Sequence, residues 1–318
     1  MFTLALAIET IGLTKKYGSL TAVDKLNLKV KANTIHGFLG PNGAGKTTTI
    51  KILVGLLKPN EGAVKIFNQE ARGDRPDIRL KMGYMPELPK FPKHLTGYEL
   101  LEIYGQMYGL PKLALKAQIP RLLEMVGLKE RGRDRIGKYS KGMQQRVGIA
   151  QALINEPELV VLDEPSLGLD PVGMVEVREI VKEIAKEGTT VFLSSHLLHE
   201  VQQICSEITI INRGISLASG TLEEISAKFA KLAKLEVEVS EYSDAAVRKL
   251  KKLPFVSQIS ADGRKITIQI ETKDDVRSQV SKAITSSGGV IVSMNHKTYS
   301  LEDIFMKLVT EPGGGNKR

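Results

Sequence analysis

The sequence of 318 residues contains one cysteine and has no apolar run of membrane-spanning length. Because a disulfide needs two thiols, Cys205 cannot form one within the chain, and a lone thiol is compatible with a reducing cytosol. The most apolar N-terminal stretch, MFTLALAI, is far shorter than the roughly 20 residues that a spanning helix needs. It also lacks the basic start and the cleavage site of a signal peptide. We therefore expect any membrane-spanning part to belong to another chain.

The composition is that of an ordinary globular protein, with 42% hydrophobic and 25% charged residues. The length predicts one large domain and a smaller one. A net charge of +9 favours negatively charged partners such as nucleotides, nucleic acid or an anionic membrane surface, although a solvated lysine-rich surface gives the same charge. Aromatic and basic residues are not interleaved as single-stranded nucleic acid requires, so no nucleic acid is expected as a partner.

Three short apolar runs each end at residues that carry chemistry. Ile35–Leu39 leads into a glycine loop, Leu159–Leu162 into two acids, and residues 190–193 into two serines and His196. The runs do not alternate cleanly with charged residues, which is typical of strands buried on both faces of a parallel sheet. Ligands bind outside the carboxyl ends of such strands. We therefore predict an α/β fold in which the three strand ends converge on one site.

The first strand end carries FLGPNGAGKTT, which fits the phosphate-binding pattern G-x-x-x-x-G-K-[ST]. Glycines let backbone N–H groups turn towards phosphate oxygens, and the helix that follows adds its positive end. Lys46 can reach the β- and γ-phosphates, and the Thr47 hydroxyl can ligate Mg²⁺. An accidental match in a glycine turn is the alternative, but a strand before and a helix after supply the context that the motif needs. We predict a nucleoside triphosphate with Mg²⁺ along Gly40, Pro41, Asn42, Gly43, Ala44, Gly45, Lys46, Thr47 and Thr48.

The second and third strand ends carry Asp163, Glu164 and His196. A carboxylate at the end of a buried strand is costly without a cation, so Asp163 is predicted to hold Mg²⁺ directly or through water. Glu164 follows it and can address a different target, so we expect it to polarise the attacking water. A helix N-cap before Pro165 is the structural alternative for the two acids. On the sequence pattern alone, His196 remains either structural or catalytic.

Several flanking elements are predicted from local signals. A helix should begin near Gly45 and run to about Leu57, without a side-chain cap if a phosphate satisfies its first N–H groups. Thr96 and Glu99 form a capping box for a second helix from Gly97. Residues 25–31 alternate as a half-buried, antiparallel strand.

The residue pattern of the sequence changes after about residue 225. Alternating strands, a hairpin turn at Asp262-Gly263 and amphipathic helices predict a small α+β domain over residues 232–311. The tail, residues 312–318, is predicted to be flexible. The supporting strands are 235–239 and 265–270, and the helices are 243–252 and 274–286.

One further stretch, YSKGMQQR, resembles the signature motif of ABC-transporter ATPases, which is usually written LSGGQ-x-Q-R. Ser140 and Gly142 match it, as do the Gln and Arg at its end, whereas Tyr139, Lys141 and Met143 depart from it. Phosphate loop, signature, acid pair, a GLD triplet ending at Asp170 and the histidine follow in the family's order over about residues 8–220. The set of motifs and their order along the chain are similar to those of the single-cassette ATPases of drug- and natural-product-type exporters.

This resemblance implies the roles of further residues. Tyr17 would stack on the adenine of ATP, although a strand-end tyrosine can also be merely structural. Glu87 stands where the family usually has a glutamine and would be a third Mg²⁺ ligand beside Thr47 and Asp163, since a hard cation accepts oxygen from either residue type. His196 would contact the γ-phosphate, and Asp170 would lie in a loop that communicates between subunits. The signature itself would be Ser140, Lys141, Gly142 and Met143.

The resemblance also implies an architecture and partners. Residues 1–225 would be an ABC-type nucleotide-binding domain: a P-loop core with a mostly parallel sheet, an antiparallel N-terminal subdomain and a helical subdomain. Two copies would close on two ATP molecules as a homodimer. A separate permease in the membrane would convert opening and closing into transport, which places this chain on the cytoplasmic face of the cell membrane as a peripheral protein.

The function expected is that of an ATP-hydrolysing transporter subunit, in the style of exporters. The alternative is a soluble ABC ATPase acting on ribosomes or nucleic acid. Translation-type relatives generally carry two cassettes, and DNA-repair relatives have a long coiled coil between loop and signature, for which this chain has no room. A binding module without hydrolysis is a third possibility, which Lys46, Asp163 and Glu164 argue against. Dimer contact, regulation and permease clamping all remain open for the C-terminal domain.

Overall fold

The computed structural model describes residues 5–71, 75–229, 232–272, 274–298 and 301–310. The chain divides into two compact units between Thr221 and Leu222, here called the N-terminal and C-terminal units. The elements of the N-terminal unit are β1 (Leu6–Tyr17), β2 (Leu20–Lys31), β3 (Ile35–Leu39), α1 (Lys46–Leu53), β4 (Glu61–Ile66), β5 (Gln69–Glu70), α2 (Pro76–Arg79), β6 (Met82–Met85), α3 (Gly97–Met107), α4 (Lys112–Met125), α5 (Lys141–Ala152), β7 (Leu159–Leu162), α6 (Pro171–Lys186), β8 (Thr190–Ser195), α7 (Leu198–Ile204), β9 (Glu207–Asn212) and β10 (Ile215–Gly220). Those of the C-terminal unit are α8 (Leu222–Phe229), β11 (Leu232–Val239), α9 (Asp244–Leu250), β12 (Val256–Asp262), β13 (Lys265–Glu271), α10 (Arg277–Thr285), β14 (Ile291–Thr298) and α11 (Leu301–Thr310).

The centre of the N-terminal unit is a six-stranded sheet in the order β10-β9-β3-β8-β7-β6. Strands β9, β3, β8, β7 and β6 run parallel, and only β10 is antiparallel to its neighbour. Every residue of β7 and β8 is buried, as expected for strands covered on both faces. The predicted α/β fold with a mostly parallel sheet is therefore confirmed.

A second, antiparallel sheet has the order β2-β1-β4-β5. Its strand β2 contains the alternating stretch 25–31, in which Leu26, Leu28 and Val30 are buried while Lys25 and Lys29 are exposed. The predicted half-buried antiparallel strand is confirmed. Its apolar face joins one core with α1 and the parallel sheet, where Phe38 and Phe192 lie 5.4 Å apart between ring centroids.

Helix α1 is shorter than predicted, because it ends at Leu53 rather than near Leu57. Gly55 adopts a left-handed backbone with φ of +77°, and the N–H groups of Leu56 and Leu57 both bond to the carbonyl of Lys51. This is how a glycine just beyond a helix terminates it. The sequence prediction used Pro59 as the stop signal and overlooked Gly55.

The predicted capping box at the start of α3 is confirmed. Thr96 Oγ1 accepts from the Glu99 N–H at 3.1 Å, and Glu99 Oε2 accepts from the Thr96 N–H at 2.8 Å. Helices α3, α4 and α5 pack on one another as the helical part of the N-terminal unit. Strand β6 contacts α5 and so links this helical part to the sheet.

The C-terminal unit contains a four-stranded antiparallel sheet in the order β12-β13-β11-β14. With α9 and α10 it follows the β-α-β-β-α-β pattern of ferredoxin-like folds. Leu235, Val237 and Ile268 of the sheet and Val280 and Ile284 of α10 belong to its buried core. The predicted strands, the turn at Gly263 with φ of +56° and the α+β class are confirmed. The predicted flexible tail, 312–318, lies outside the described residues.

Within the described ranges, no helix is both long enough and apolar enough to cross a membrane.

Candidate functional site

The carboxyl ends of β3, β7 and β8 meet at one edge of the parallel sheet. Leu39 at the end of β3 is in register with Ser195 of β8, and Leu162 at the end of β7 is in register with Leu193. The glycine loop, the two acids and His196 follow directly. Their predicted convergence on one site is confirmed by the contacts described below.

The phosphate loop depends on glycine for close backbone packing. Gly45 has φ of +104°, and a Cβ there would lie 2.4 Å from the carbonyl oxygen of Ala22 on β2. A Cβ on Gly40 would lie 2.3 Å from the carbonyl oxygen of Ile211. Gly45 caps α1 without any side-chain hydrogen bond, as predicted. The first N–H groups of α1 are therefore not used by a capping side chain, and such a helix start binds anions well.

The other loop residues lie between Gly40 and the first turn of α1. The N–H of Ala44 donates to the carbonyl of Pro41 at 3.1 Å, and its carbonyl accepts from the N–H of Gly214 at 2.8 Å. Asn42 and Gly43 are exposed at the tip of the loop, while Thr47 and Thr48 are half-buried in the first turn of α1.

Lys46 lies over the loop and is almost fully buried. Its ammonium donates to the carbonyl of Gly40 at 2.6 Å and to that of Pro41 at 3.3 Å. Its third close contact is Glu164, whose Oε1 lies 3.0 Å away. A buried ammonium held by two carbonyls and one carboxylate is in place for negatively charged phosphate oxygens.

Glu164 connects Lys46 with His196. While Oε1 faces the ammonium, Oε2 lies 2.8 Å from His196 Nδ1. An ionised carboxylate only accepts hydrogen bonds, so Nδ1 is the donor of this bond. Glu164 has φ of +50°, an uncommon conformation for a residue other than glycine. Unusual backbone of this kind clusters at functional sites.

Asp163 is completely buried and is held by two neighbouring strands. Its N–H donates to the carbonyl of Met85 on β6 at 3.0 Å, and its Oδ1 accepts from Ser194 Oγ on β8 at 2.7 Å. Burial raises the pKa of Asp163, while the hydroxyls of Ser194 and Thr47 oppose that rise.

The second oxygen of Asp163 fits a hard divalent cation. Within the described residues, Oδ2 is buried and has no hydrogen-bond partner. Carboxylate and hydroxyl oxygens are the ligands that Mg²⁺ prefers. The oxygen of the Thr47 hydroxyl, which also influences the pKa of Asp163, is a second ligand atom of this kind. A protein usually gives Mg²⁺ one or two carboxylates and leaves the remaining positions to phosphates and water.

The third predicted metal ligand, Glu87, lies two residues after β6, the strand whose Met85 carbonyl contacts Asp163. Its carbonyl accepts from Gln145 Nε2 on α5 at 3.3 Å. This bond links the segment after β6 to the signature helix. The side chain of Glu87 is half-buried, and its role as a metal ligand stays a prediction.

The signature residues open α5, as their resemblance implied. Ser140 is the N-cap, and its Oγ accepts from the Met143 N–H at 3.2 Å. Lys141 lies over Gly168, since a Cβ on that glycine would be 2.1 Å from the ammonium. Among the described residues, no hydrogen bond or ion pair joins residues 140–143 to the phosphate loop of the same chain.

Two other predicted residues lie at the ends of elements. Tyr17 ends β1 and is 47% exposed, so its ring is accessible to a base. The ammonium of Lys15 lies 5.3 Å from the centroid of that ring. Asp170 is the N-cap of α6, and its Oδ1 accepts from the Gly173 N–H at 2.9 Å.

Sequence reasoning missed Ser194, which contacts both acids. Its Oγ donates to Asp163 and accepts from the Glu164 N–H at 2.9 Å. The signal that could have found it is a serine near the end of the fully buried strand β8, because a buried hydroxyl needs hydrogen-bond partners.

Two family models match the chain. One is described as ABC transporter and matches residues 23–167. The other is described as ATP-binding protein DrrA1-3-like, C-terminal domain, and matches residues 220–309.

Curated relatives match over nearly the full chain. The bacitracin transport ATP-binding protein BcrA of Bacillus licheniformis is 38% identical over 310 residues, which is 97% of this chain and 98% of the relative. The daunorubicin resistance ATP-binding protein DrrA3 of Streptomyces coeruleorubidus is 32% identical over 303 residues, 95% of each chain.

Solved structures match about two thirds of the chain. The ATP-binding subunit of an ABC transporter has a TM-score of 0.64 and 32% identity, covering 70% of this chain and 93% of its own. A dimeric ATP-binding cassette in a post-hydrolysis state, bound to ADP and Pi, has a TM-score of 0.62 and 25% identity, covering 68% and 98%.

Proposed function

This chain belongs to the ATP-binding proteins of ABC transporters, and from that membership we propose which of its residues bind and hydrolyse ATP, and for what partner. ATP hydrolysis coupled to transport is the activity of the family. We also propose that residues 1–225 form the nucleotide-binding domain and residues 232–311 an accessory domain, a division close to the boundary between the two compact units at Thr221 and Leu222. The finer assignments below rest on the site geometry.

The observation that carries the proposal is the chain of contacts Lys46–Glu164–His196 beside a buried Asp163. Lys46 binds the β- and γ-phosphates that lie along the loop, with the N–H groups at the start of α1. Glu164 orients the attacking water and accepts its proton. His196 holds Oε2 of Glu164 through Nδ1, and Nε2, when it carries a proton, donates to the γ-phosphate.

Mg²⁺ is the cation that we propose for this site, with Asp163 and Thr47 as its protein contacts and Glu87 as a further oxygen donor. When bound, the cation neutralises charge that develops on the β- and γ-phosphate oxygens. Ser194 leaves Oδ2 of Asp163 available by occupying Oδ1.

A homodimer is proposed because the signature residues make no polar contact with their own phosphate loop in the described part of the chain. Ser140 and Lys141 are exposed at the start of α5, where helix N–H groups attract phosphate. A dimeric cassette is among the structural neighbours, which supports closure of one subunit's signature on the partner's ATP. ATP would then hold the dimer closed, and hydrolysis would release it.

The partner that we propose is a membrane permease, with this chain on the cytoplasmic face of the cell membrane. Relatives named for bacitracin transport and daunorubicin resistance support export, and a drug or antibiotic as the transported class. Substrate contacts would lie in the permease.

The soluble alternative, action on ribosomes or nucleic acid, has less support. Ferredoxin-like sheets that bind RNA stack bases on aromatic side chains. Glu236, Glu238 and Thr267 point away from the buried core of the C-terminal sheet and offer no such ring. The relatives reported above are named for transport or resistance.

A co-purification experiment tests the proposed function. Glu164→Gln protein is isolated with ATP from mildly solubilised native membranes, and the proteins that accompany it are identified by mass spectrometry. We expect a polytopic membrane protein, which should be absent when an unrelated protein with the same affinity tag is isolated in the same way. Ribosomes or nucleic acid with no membrane protein would refute the transporter assignment.

A further inference from the structure

Ser194, near the end of strand β8, lies between the two acids of the site. Both Ser194 and His196, which follows the strand, contact the acids that come directly after β7. His196 holds the side chain of Glu164, at 2.8 Å from Oε2. Ser194 instead contacts the Asp163 carboxylate and the Glu164 backbone.

The two bonds of Ser194 use both capacities of a hydroxyl. Its O–H donates to Asp163 Oδ1 at 2.7 Å, and its lone pair accepts from the Glu164 N–H at 2.9 Å. Alanine can do neither, and a thiol is only a weak donor and acceptor. Ser194 is 0% exposed, so bulk water does not reach this position.

The bond to Asp163 fixes which oxygen is available for a cation. With Oδ1 occupied by the hydroxyl, the unpaired Oδ2 is the free ligand. Residues that hydrogen-bond to metal-ligating carboxylates orient them, and their removal typically weakens metal binding or activity about 10- to 100-fold.

The bond to Glu164 stabilises an uncommon backbone. Glu164 has φ of +50°, and its N–H has Ser194 Oγ as its partner. That conformation aims the side chain so that its two oxygens reach Lys46 and His196. Such residues persist only where their surroundings hold them.

We propose that Ser194 is a positioning residue for ATP hydrolysis, which orients Asp163 towards the divalent cation and holds the Glu164 backbone in its left-handed conformation. This inference rests on the proposed function, since it assigns the cation and the water to these two acids. Ser194 lies in neither the phosphate loop nor the signature, and its hydroxyl contacts both Asp163 and Glu164.

The test compares Ser194→Ala with a matched control on the same strand. Thr190 is also completely buried, and its hydroxyl accepts from the Asn33 N–H at 3.0 Å, at the opposite end of β8. Thr190→Val therefore removes a buried hydroxyl without touching either acid. Ser194→Thr keeps the hydroxyl, and Ser194→Cys keeps the size but weakens the bonds. Thermal unfolding of each full-length variant establishes that it is folded.

Two readouts separate positioning from general stability. The first is the dissociation constant of Mn²⁺ for the ADP-bound protein, measured by electron paramagnetic resonance. The second is kcat and KM for ATP with Mg²⁺. For Ser194→Ala we expect Mn²⁺ binding weakened about 10-fold and kcat lowered about 10- to 100-fold, with ADP affinity in EDTA within about twofold of wild type. Ser194→Thr should keep Mn²⁺ affinity and kcat close to the wild-type values. Ser194→Cys should lose both, as Ser194→Ala does. If Ser194→Ala is unfolded, the result for Ser194→Cys tests the inference in its place.

Equal losses in Ser194→Ala and Thr190→Val, or Mn²⁺ affinity and kcat at wild-type values in folded Ser194→Ala and Ser194→Cys, would overturn the inference. The proposed function would still stand in that case, because the wild-type protein would hydrolyse ATP. If the wild type itself neither binds Mn²⁺ with ADP nor hydrolyses ATP, it is the proposed function that fails.

Discussion

Replacement of Glu164 by glutamine separates ATP binding from hydrolysis. Glutamine has the same shape and still offers an oxygen to His196 Nδ1, which lies 2.8 Å from Oε2. It loses the negative charge 3.0 Å from the Lys46 ammonium and the ability to accept a proton from water. The change should therefore remove the proposed general base while it leaves the hydrogen-bond geometry in place.

The expected magnitude follows from these two losses. A positioned general base contributes about 10²- to 10⁴-fold to a rate, so kcat should fall at least about 100-fold, equivalent to about 2.7 kcal/mol in the activation free energy. ATP affinity should not fall, because Lys46 no longer shares its charge with a carboxylate and keeps its bonds to Gly40 and Pro41. Bound ATP should then persist and hold two copies together.

The assay combines phosphate release at steady state with size-exclusion chromatography in Mg²⁺ and ATP. Glu179→Gln on α6 is the control, because that acid is exposed and its one ion pair among the described residues is with Lys182, at 2.8 Å. Turnover by Glu164→Gln within about tenfold of wild type would refute the role of Glu164 as base. A variant that loses turnover but remains monomeric with ATP would refute the proposed dimer.

Three further predictions concern the loop, the domain division and a buried histidine. Lys46→Ala should abolish ATP binding, measured with a fluorescent nucleotide, because the phosphates lose the buried ammonium; unchanged affinity contradicts its role. A chain ending at residue 231 should fold and bind ATP, checked by circular dichroism and the same binding assay, and a folded truncation that binds none contradicts the domain division. Burial and the charge of Lys31 lower the pKa of His36 from 6.5 to about 4. Between those values the unfolded chain binds a proton that the folded chain does not, so the free energy of unfolding should fall with falling pH, by up to about 3 kcal/mol at pH 4. Urea unfolding should show this slope in the wild type and a smaller one in His36→Gln.

The fold was predictable where burial imposes a simple pattern. Strands β3 and β7 are short apolar runs bounded by loop residues, and the parallel sheet follows from burial on both faces. The end of α1 was predicted too late, because Pro59 was used as the stop signal. The helix in fact ends at Leu53, because the left-handed backbone of Gly55 just beyond it terminates it. Periodicity gives the existence of an element more reliably than its last residue.

The candidate site was predictable in its members but not in its pairings. Parallel strands bring their carboxyl ends to one edge, which places Lys46, Glu164 and His196 together whatever their rotamers. Alternation alone cannot give the direction of Glu164, because its positive φ interrupts the regular strand geometry just after β7. The contact of Glu164 with Ser194 depends on that interruption and on the register of β7 with β8. Ser194 was therefore missed, although the sequence shows it two residues before His196.

The charge balance of the buried residues explains why this edge of the sheet suits a polyphosphate bound with a cation. Lys46 and Glu164 compensate each other at 3.0 Å, whereas Asp163 makes no ion pair among the described residues. An unpaired buried carboxylate is unfavourable, and burial accordingly raises the pKa of Asp163. A divalent cation bound to Oδ2 would offset that cost. The phosphates bound with the cation would compensate the positive charge of Lys46 and accept hydrogen bonds from the N–H groups at the start of α1. Stability and binding are thus coupled at Asp163: its buried carboxylate is unfavourable without a ligand, so nucleotide and cation together should stabilise the folded chain.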